Sequence, residues 1–174
     1  QVYSQILHVG LQIEYEQFSE VLAAAEAELT ANMAKIESPG PKDDVSTLKD
    51  ELELNMTTCL YMLVILTKIK PTLTAEQDFA IMKTVFNMVQ KNPYTKTNQT
   101  LLHLAANSET PVDDFHTNDI VQFPCAATTK LLIEAGSDVQ AMDDDRNTPL
   151  HIIVGYQKIV SDFLTLHSII MSLL

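Results

Sequence analysis

The chain contains 174 residues, of which 46% are apolar, so it is long and apolar enough to form a folded core. Its 11 basic and 23 acidic residues give a formal net charge of −12. Because nucleic acids and anionic membranes are bound by clustered Lys and Arg, this charge argues against both kinds of partner.

Cysteine content and apolar runs limit the class of protein further. Cys59 and Cys125 are too few for a disulfide framework or a four-cysteine zinc site, and we expect both to be buried thiols in a reducing compartment. The long apolar run from Leu60 to Leu66 is far shorter than the roughly 20 residues that span a bilayer. With no signal-peptide pattern at the start, we expect a soluble protein, and the lack of an initiating Met suggests a piece of a longer one.

Apolar residues at helical spacing predict three helices within residues 1–93. The first ends at Ser38-Pro39-Gly40-Pro41, and the second ends at Lys70-Pro71. The third begins at Thr74, where Thr74 and Gln77 have capping-box spacing. We expect this third helix to bury one apolar face, which comprises Phe79, Met82, Phe86 and Val89.

The second half carries ankyrin-repeat motifs. Residues 148–151 read Thr-Pro-Leu-His, a related Thr-Leu-Leu-His begins 48 residues upstream, and a Leu-Leu-Ile-Glu-Ala-Gly block lies between them. Threonine caps the helix start, leucine packs between the helices of a repeat, and glycine suits the left-handed conformation after a helix. The structural motif residues are Thr100, Leu102, His103, Leu131, Leu132, Gly136, Thr148, Pro149, Leu150 and His151.

The repeats are irregular in length. Ankyrin repeats have a period of about 33 residues, so the longer spacing implies roughly 15 additional residues, which must lie between Ala106 and Pro124. The periodicity leaves open whether a second, shorter insertion lies from Gly155 to Asp162. If these inserts form a ridge, its acidic members Asp113, Asp114 and Asp119, with Phe115 and His116, are candidate partner-binding residues; the alternative is that the ridge packs on its own chain.

Four segments of this half resemble the feminisation (Fem) proteins, most closely their B-type branch. They are QTLLHLA from residue 99, SETPVDDFHTND from residue 108, HIIV from residue 151 and SDFLTLHSII from residue 161. The resemblance is strong over 98–174 and limited to the helical pattern over 1–93. It implies a middle-to-late piece of a substrate receptor for a cullin-two RING ubiquitin ligase. Arg146 departs from the Gly that usually stands two positions before the repeat's Thr.

The resemblance also implies partners and a location. The partners would be other segments of the same receptor chain, protein substrates and, through a box that we do not find in this chain, elongin and cullin-two. It implies a protein of the cytoplasm, with the nucleus as a second compartment. No degron-contacting residue of the family can be assigned to a position here.

The histidines of the second half could have either catalytic or structural roles. His103 and His151 would be a catalytic pair only if they lined a cleft beside a carboxylate; in ankyrin repeats this histidine is buried and joins adjacent repeats. Asp113, Asp114, His116 and Asp119 could ligate a metal, but short acidic loops are usually solvated. We therefore expect no catalytic, cofactor or metal site. The alternative classes are a generic ankyrin binding module and a helical enzyme that uses His116 or His151.

The sequence thus predicts an all-α fold. Residues 1–93 form a helical bundle or tetratricopeptide-like region, and residues 94–174 form a short ankyrin stack with insertions, about two repeats long. The predicted function is a non-catalytic interaction scaffold.

Overall fold

The computed structural model describes residues 14–107, 123–155 and 163–174, and in these ranges the fold is helical. No β-strand occurs in the described ranges, where an isolated bridge pairs Tyr94 with Thr100. The prediction of an all-α fold is confirmed. A short 3₁₀ turn spans Lys70–Thr72, and the α-helices are α1 (Tyr15–Glu37), α2 (Val45–Ile69), α3 (Ala75–Gln90), α4 (Leu101–Ala106), α5 (Ala126–Glu134), α6 (Pro149–Gly155) and α7 (Phe163–Leu173).

The central helix of the molecule is α2. Asp44 caps its start by accepting a hydrogen bond from the Ser46 amide at 3.0 Å. Helix α1 covers α2 on one side, and α4 and α5 of the second half also contact it. Residues 59–66 are consequently all buried, including positions on every side of the helix. A helix that is apolar all round requires such cover from several neighbours.

The composition of α2 would also permit a membrane span. The segment from Val45 to Thr72 has 28 residues and a mean hydropathy of 1.3 in its most apolar window. However, 61% of that window is buried inside the protein, as in the core helix of a globular fold. The segment is therefore weak support for a membrane role.

Helix α3 corrects one prediction. Its capping box is confirmed, since the Thr74 hydroxyl accepts from the Gln77 amide and the Gln77 side chain accepts from the Thr74 amide. The expected buried face is wrong at Phe79 and Phe86, which are 75% and 49% exposed, whereas Val89 is buried as predicted and Met82 is half-buried. The helix packs on α1, and its buried apolar row comprises Ile81, Val85, Met88 and Val89. Both rows have helical spacing, so periodicity alone does not choose between them.

The described residues of the second half form two helix pairs, α4 with α5 and α6 with α7. Helix α4 is sandwiched between its own partner and α6 of the next pair, and all six of its residues are buried. One apolar cluster runs from Phe18 to Leu173 through both halves of the chain. The proposed boundary between residues 93 and 94 stays a prediction, and the core continues across it.

We expect the burial of α2 to dominate stability, and the helix offers a matched pair of substitutions. Leu60→Ala, at a fully buried position, should lower the free energy of unfolding by about 2–5 kcal/mol. Leu54→Ala on the same helix, where the side chain is 68% exposed, should change it by less than about 0.5 kcal/mol. Urea denaturation measures both values. Similar losses for the two variants would contradict this assignment of the core.

Candidate functional site

Two loops, residues 94–99 and residues 140–147, lead into the two repeats and lie side by side. The backbone amide of Asp144 donates a hydrogen bond to the Thr97 carbonyl at 3.0 Å. The Asp144 carboxylate accepts a hydrogen bond from the side-chain amide of Asn98. Each loop has a left-handed residue two positions before its threonine, Asn98 with φ 60° and Arg146 with φ 62°. The two repeats therefore present equivalent turns next to each other.

His103 joins the two repeats from inside the stack. Its side chain is fully buried, and its Nδ1 accepts a hydrogen bond from the Thr100 amide at 3.1 Å. Its Nε2 lies 2.8 Å from the Asn147 carbonyl, which can only accept, so the ring is the neutral tautomer with the proton on Nε2. One imidazole thus caps α4 and holds the second loop. His103 has the structural role predicted for it.

The surroundings of His103 also disfavour protonation of its imidazole. Burial lowers the pKa of the His103 imidazole, because the charged form is poorly solvated in the core. A second proton would also have to lie on Nδ1, facing the Thr100 N–H that donates to it. His103 is therefore held neutral for structural reasons.

Asp143 organises the second loop from a buried position, although it begins a run of three aspartates. Its side chain is 7% exposed, and one carboxylate oxygen accepts from the Asp145 amide at 3.0 Å and the Asn147 amide at 2.7 Å. The Asp143 amide in turn donates to the Asn147 carbonyl at 3.0 Å. Asp144 and Asp145, the other two aspartates of this run, are exposed. The Asp143 carboxylate thus closes the turn that this loop forms.

The first loop is also fixed to α2. Lys96 Nζ lies 2.6 Å from an Asp50 carboxylate oxygen, and Lys49 Nζ lies 5.3 Å from the centre of the Tyr94 ring. Both interactions are partly exposed, so each contributes about 1 kcal/mol or less. Their position matters more than their strength, because they fix the orientation of the loop relative to the helical half.

The second repeat differs from the first at its histidine. His151 Nδ1 accepts from the Thr148 amide at 3.2 Å, as His103 does from Thr100, but the His151 side chain is exposed. The expectation of a buried His151 is wrong, because α6 has a neighbouring repeat on one side among the described residues, whereas α4 contacts both α2 and α6. Leu150 is only partly buried. Thr148 and Pro149 are buried.

The other motif residues lie in the core or at its edge. Leu102, Leu131 and Leu132 are buried, and Thr100 is half-buried. Gly136 has φ +93°, the left-handed conformation predicted for it after α5. Cys59 is buried, and burial raises the pKa of its thiol to about 12, so it is unreactive. Cys125 is half-buried rather than buried, and it accepts a hydrogen bond from the Thr128 hydroxyl at 3.3 Å.

Several predicted binding residues lie outside the described residues. They are Asp113, Asp114, Phe115, His116 and Asp119, together with the insertion after Gly155. The ridge, its metal alternative and a role for His116 therefore stay predictions. In the ranges that the structure does describe, no three His, Cys, Asp or Glu side chains form a group that could hold a metal ion.

Sequence reasoning missed the residues that hold the two loops together. These are the Asn147 carbonyl, the Asp143 carboxylate and the pair of Asn98 with Asp144. The equivalent positions of Asn98 and Arg146 before the two threonines are a signal that could have located the paired turns. Which side chains of the two turns contact each other depends on how the repeats stack.

Stacked helix pairs joined by a motif histidine, with loops aligned along one side, define an ankyrin-repeat protein of the protein-interaction type. No protein-family model matches the chain. It is similar to "Protein fem-1 homolog C" from human, with 28% identity over 146 residues, which are 83% of this chain and 22% of that relative. It is equally similar to "Protein fem-1 homolog A" from zebrafish, with 28% identity over 144 residues, 83% of this chain and 22% of the relative.

These matches show similarity to Fem-1 proteins over most of the chain. They are to homologues A and C and do not resolve the branch, so the assignment to the B-type branch stays a prediction. The chain spans about a fifth of the length of the curated relatives it matches.

His103 predicts a pH dependence of stability. Because the pKa of its imidazole is lowered on folding, its stabilising effect is complete above the unfolded value of about 6.5 and is lost as pH falls towards the folded value. We expect the free energy of unfolding to fall on acidification from pH 7.5 to pH 5. In His103→Gln this part of the dependence should disappear. Urea denaturation across the pH series is the measurement; parallel curves for the two proteins would refute the role of His103.

Arg146 predicts a stabilising substitution. A left-handed backbone costs a residue with a Cβ about 1–2 kcal/mol, and glycine avoids that cost while losing about 0.5–1 kcal/mol in chain entropy. Arg146→Gly should therefore raise the free energy of unfolding by about 0.5–1 kcal/mol. Arg146→Ala is the control, since it removes the guanidinium but keeps the Cβ. Equal stabilisation of both variants would mean that charge, not backbone conformation, is responsible.

Proposed function

We propose that the chain is a non-catalytic interaction scaffold within the substrate-recognition subunit of a cullin-RING E3 ubiquitin ligase. Its similarity to Fem-1 proteins over 83% of its length supports this assignment, as does the resemblance of the 98–174 segment to that family. In this proposal the polypeptide binds protein substrates and leads to their degron-dependent degradation. Its other partners are segments of the same receptor chain and, through a separate box, elongin and cullin-two.

The observation that carries the proposal is the fixed side-by-side arrangement of the two loops. Backbone and side-chain hydrogen bonds join Thr97 and Asn98 to Asp144, and His103 holds the second loop from below. A pre-ordered surface binds a partner with a smaller loss of conformational entropy than a flexible one. The side chains it presents to solvent include Met142, which is 61% exposed.

Charge indicates the kind of substrate that this surface would take. The chain has a net charge of −12, and the second loop ends in the exposed carboxylates of Asp144 and Asp145 beside Met142. A complementary partner carries basic residues next to an apolar one. Binding of this kind weakens as salt is raised. The same acidity disfavours nucleic acid and anionic membranes as partners.

The proposal includes no chemistry and no cofactor. The hydrogen bonds of His103 and His151 are those of helix caps and a repeat contact, which need no reaction to explain them. His151 is exposed, so it is neither buried between repeats nor enclosed in a cleft beside a carboxylate. We place the protein in the cytoplasm and the nucleus, where cullin-RING ligases work.

The test uses the natural polypeptide, tagged and expressed in cells, with proximity labelling and immunoprecipitation. We expect it to capture elongin, cullin-two and a set of substrates whose levels rise when the ligase is inhibited. The double variant Met142→Asp with Asp145→Lys should keep elongin and cullin-two but lose at least about 10-fold in substrate capture, since a contact pair contributes 1.4 kcal/mol or more.

Glu20→Lys is the control, because Glu20 is an exposed acidic residue of α1 distant in sequence from both loops. It should leave all captured proteins unchanged. Capture of partners without elongin or cullin-two would instead identify a generic ankyrin binding module. An unchanged substrate set in the loop variant would show that the two loops are not the binding surface.

A further inference from the structure

The loop between α1 and α2 contains a Ser-Pro dipeptide on the surface of the protein. Ser38 directly follows α1 and Pro39 comes next, and both residues are exposed. The loop is closed further along, where the Asp43 carboxylate accepts a hydrogen bond from the Gly40 amide at 2.7 Å. The Asp43 amide also donates to the Gly40 carbonyl at 3.1 Å. Ser38 and Pro39 therefore lie outside the turn that holds the loop.

The backbone leaves the helix at Ser38. Its φ is −138° and its ψ is 71°, because the ring of a following proline disfavours helical dihedral angles in the residue before it. The Ser38 amide still donates to the Ala34 carbonyl at 3.0 Å, so α1 is complete up to this point. Among the described residues, the Ser38 hydroxyl has no hydrogen-bond partner. This hydroxyl is therefore accessible and is not used by the fold.

Thr148-Pro149 is a similar dipeptide in a different environment. Thr148 is 5% exposed, and its hydroxyl lies 2.7 Å from His151 Nδ1 within the cap of α6. Pro149 is the first residue of that helix and is buried. An enzyme could reach the Thr148 hydroxyl only if the repeat opened. The third such dipeptide, Thr110-Pro111, lies outside the described residues.

We propose that Ser38 is a phosphorylation site for a proline-directed protein kinase. Kinases of this class modify a serine or threonine that directly precedes proline, and they bind the substrate as an extended segment. The γ-phosphorus of ATP would form a bond to Ser38 Oγ while its bond to the oxygen that bridges the β- and γ-phosphates breaks. The hydroxyl proton passes to the base of the kinase, and ADP is the leaving group. The proposal is independent of the role in ubiquitination.

Binding to a kinase requires the last turn of α1 to open, and little apolar surface holds this turn in place. Ala34, Lys35 and Glu37 are exposed, and Ile36 is half-buried. Helix ends with few buried contacts unfold locally at a low cost in free energy. On the other side of the dipeptide, residues 41–47 are all exposed. The segment around Ser38 can therefore become extended without disturbing the core.

The phosphate would act on the end of α1. It carries a charge of about −1.5 to −2 at pH 7, and negative charge at a helix C-terminus is unfavourable. The surrounding residues 35–44 already have more acidic than basic side chains, which are Glu37, Asp43 and Asp44 against Lys35 and Lys42. We therefore expect phosphorylation to lower the Tm by about 1–3 °C, and added salt to reduce this difference.

The test incubates the natural polypeptide with a purified proline-directed kinase and magnesium ATP, followed by trypsin digestion and mass spectrometry. Trypsin cleaves after Lys35 and Lys42, and the resulting peptide IESPGPK contains no hydroxyl residue other than Ser38. We expect this peptide to gain one phosphoryl group, while Thr148 stays unmodified in the folded chain. Ser38→Ala should remove the modification.

Pro39→Ala and Pro41→Ala are a matched pair of variants. Both remove an exposed proline from the same loop, but only Pro39 directly follows the serine. Pro39→Ala should lower the initial rate of Ser38 phosphorylation at least about 10-fold, whereas Pro41→Ala should change it less than about 2-fold. In cells, the same peptide from the immunoprecipitated polypeptide should carry the phosphate and lose it when proline-directed kinases are inhibited.

Three outcomes would overturn the proposal. The first is a Ser38 peptide that stays unmodified both with the purified kinase and in cells. The second is an equal rate for Pro39→Ala and Pro41→Ala. The third is modification of Thr148 in the folded chain as fast as that of Ser38, since burial would then not select the site. A raised Tm of the phosphorylated chain would refute the expected effect on α1.

Discussion

The burial of α2 on all sides is the constraint on which the rest of this structure depends. Residues 59–66 leave no polar side to face water, so this part of the helix must be covered by more than one neighbour. Helix α1 supplies one cover, and α4 and α5 supply another. The two halves of the chain therefore share one core, and the first repeat forms on a surface that the helical half provides. This arrangement also fixes the direction in which the repeats stack.

Polar contacts then decide how the second repeat sits on the first. His103 and Asp143 are both buried, and each satisfies backbone groups that would otherwise be costly to bury. Burial alone would allow the helices of the repeats to slide, because apolar contacts are not directional. A histidine that needs one amide and one carbonyl at set positions removes that freedom. The order of the two loops, and hence the candidate binding surface, follows from this requirement.

Several large apolar side chains are exposed in the described part of the chain. Phe79 and Phe86 project from α3, and Val154 and Met171 project from the second repeat. Nothing within the described ranges shows what would cover these side chains.

The sequence by itself determined the all-α class, the ends of α1 and α2, the capping box of α3 and the two ankyrin motifs. Each of these depends on residues close together in the chain, such as Thr74 with Gln77, or on a glycine that favours a left-handed turn. Only the tertiary structure decided which apolar row of α3 is buried and which motif histidine is covered. Both rows of α3 satisfy helical spacing, and both histidines follow the same motif. Their burial depends on which helices pack against them, and this packing is made by residues that are far apart in the sequence.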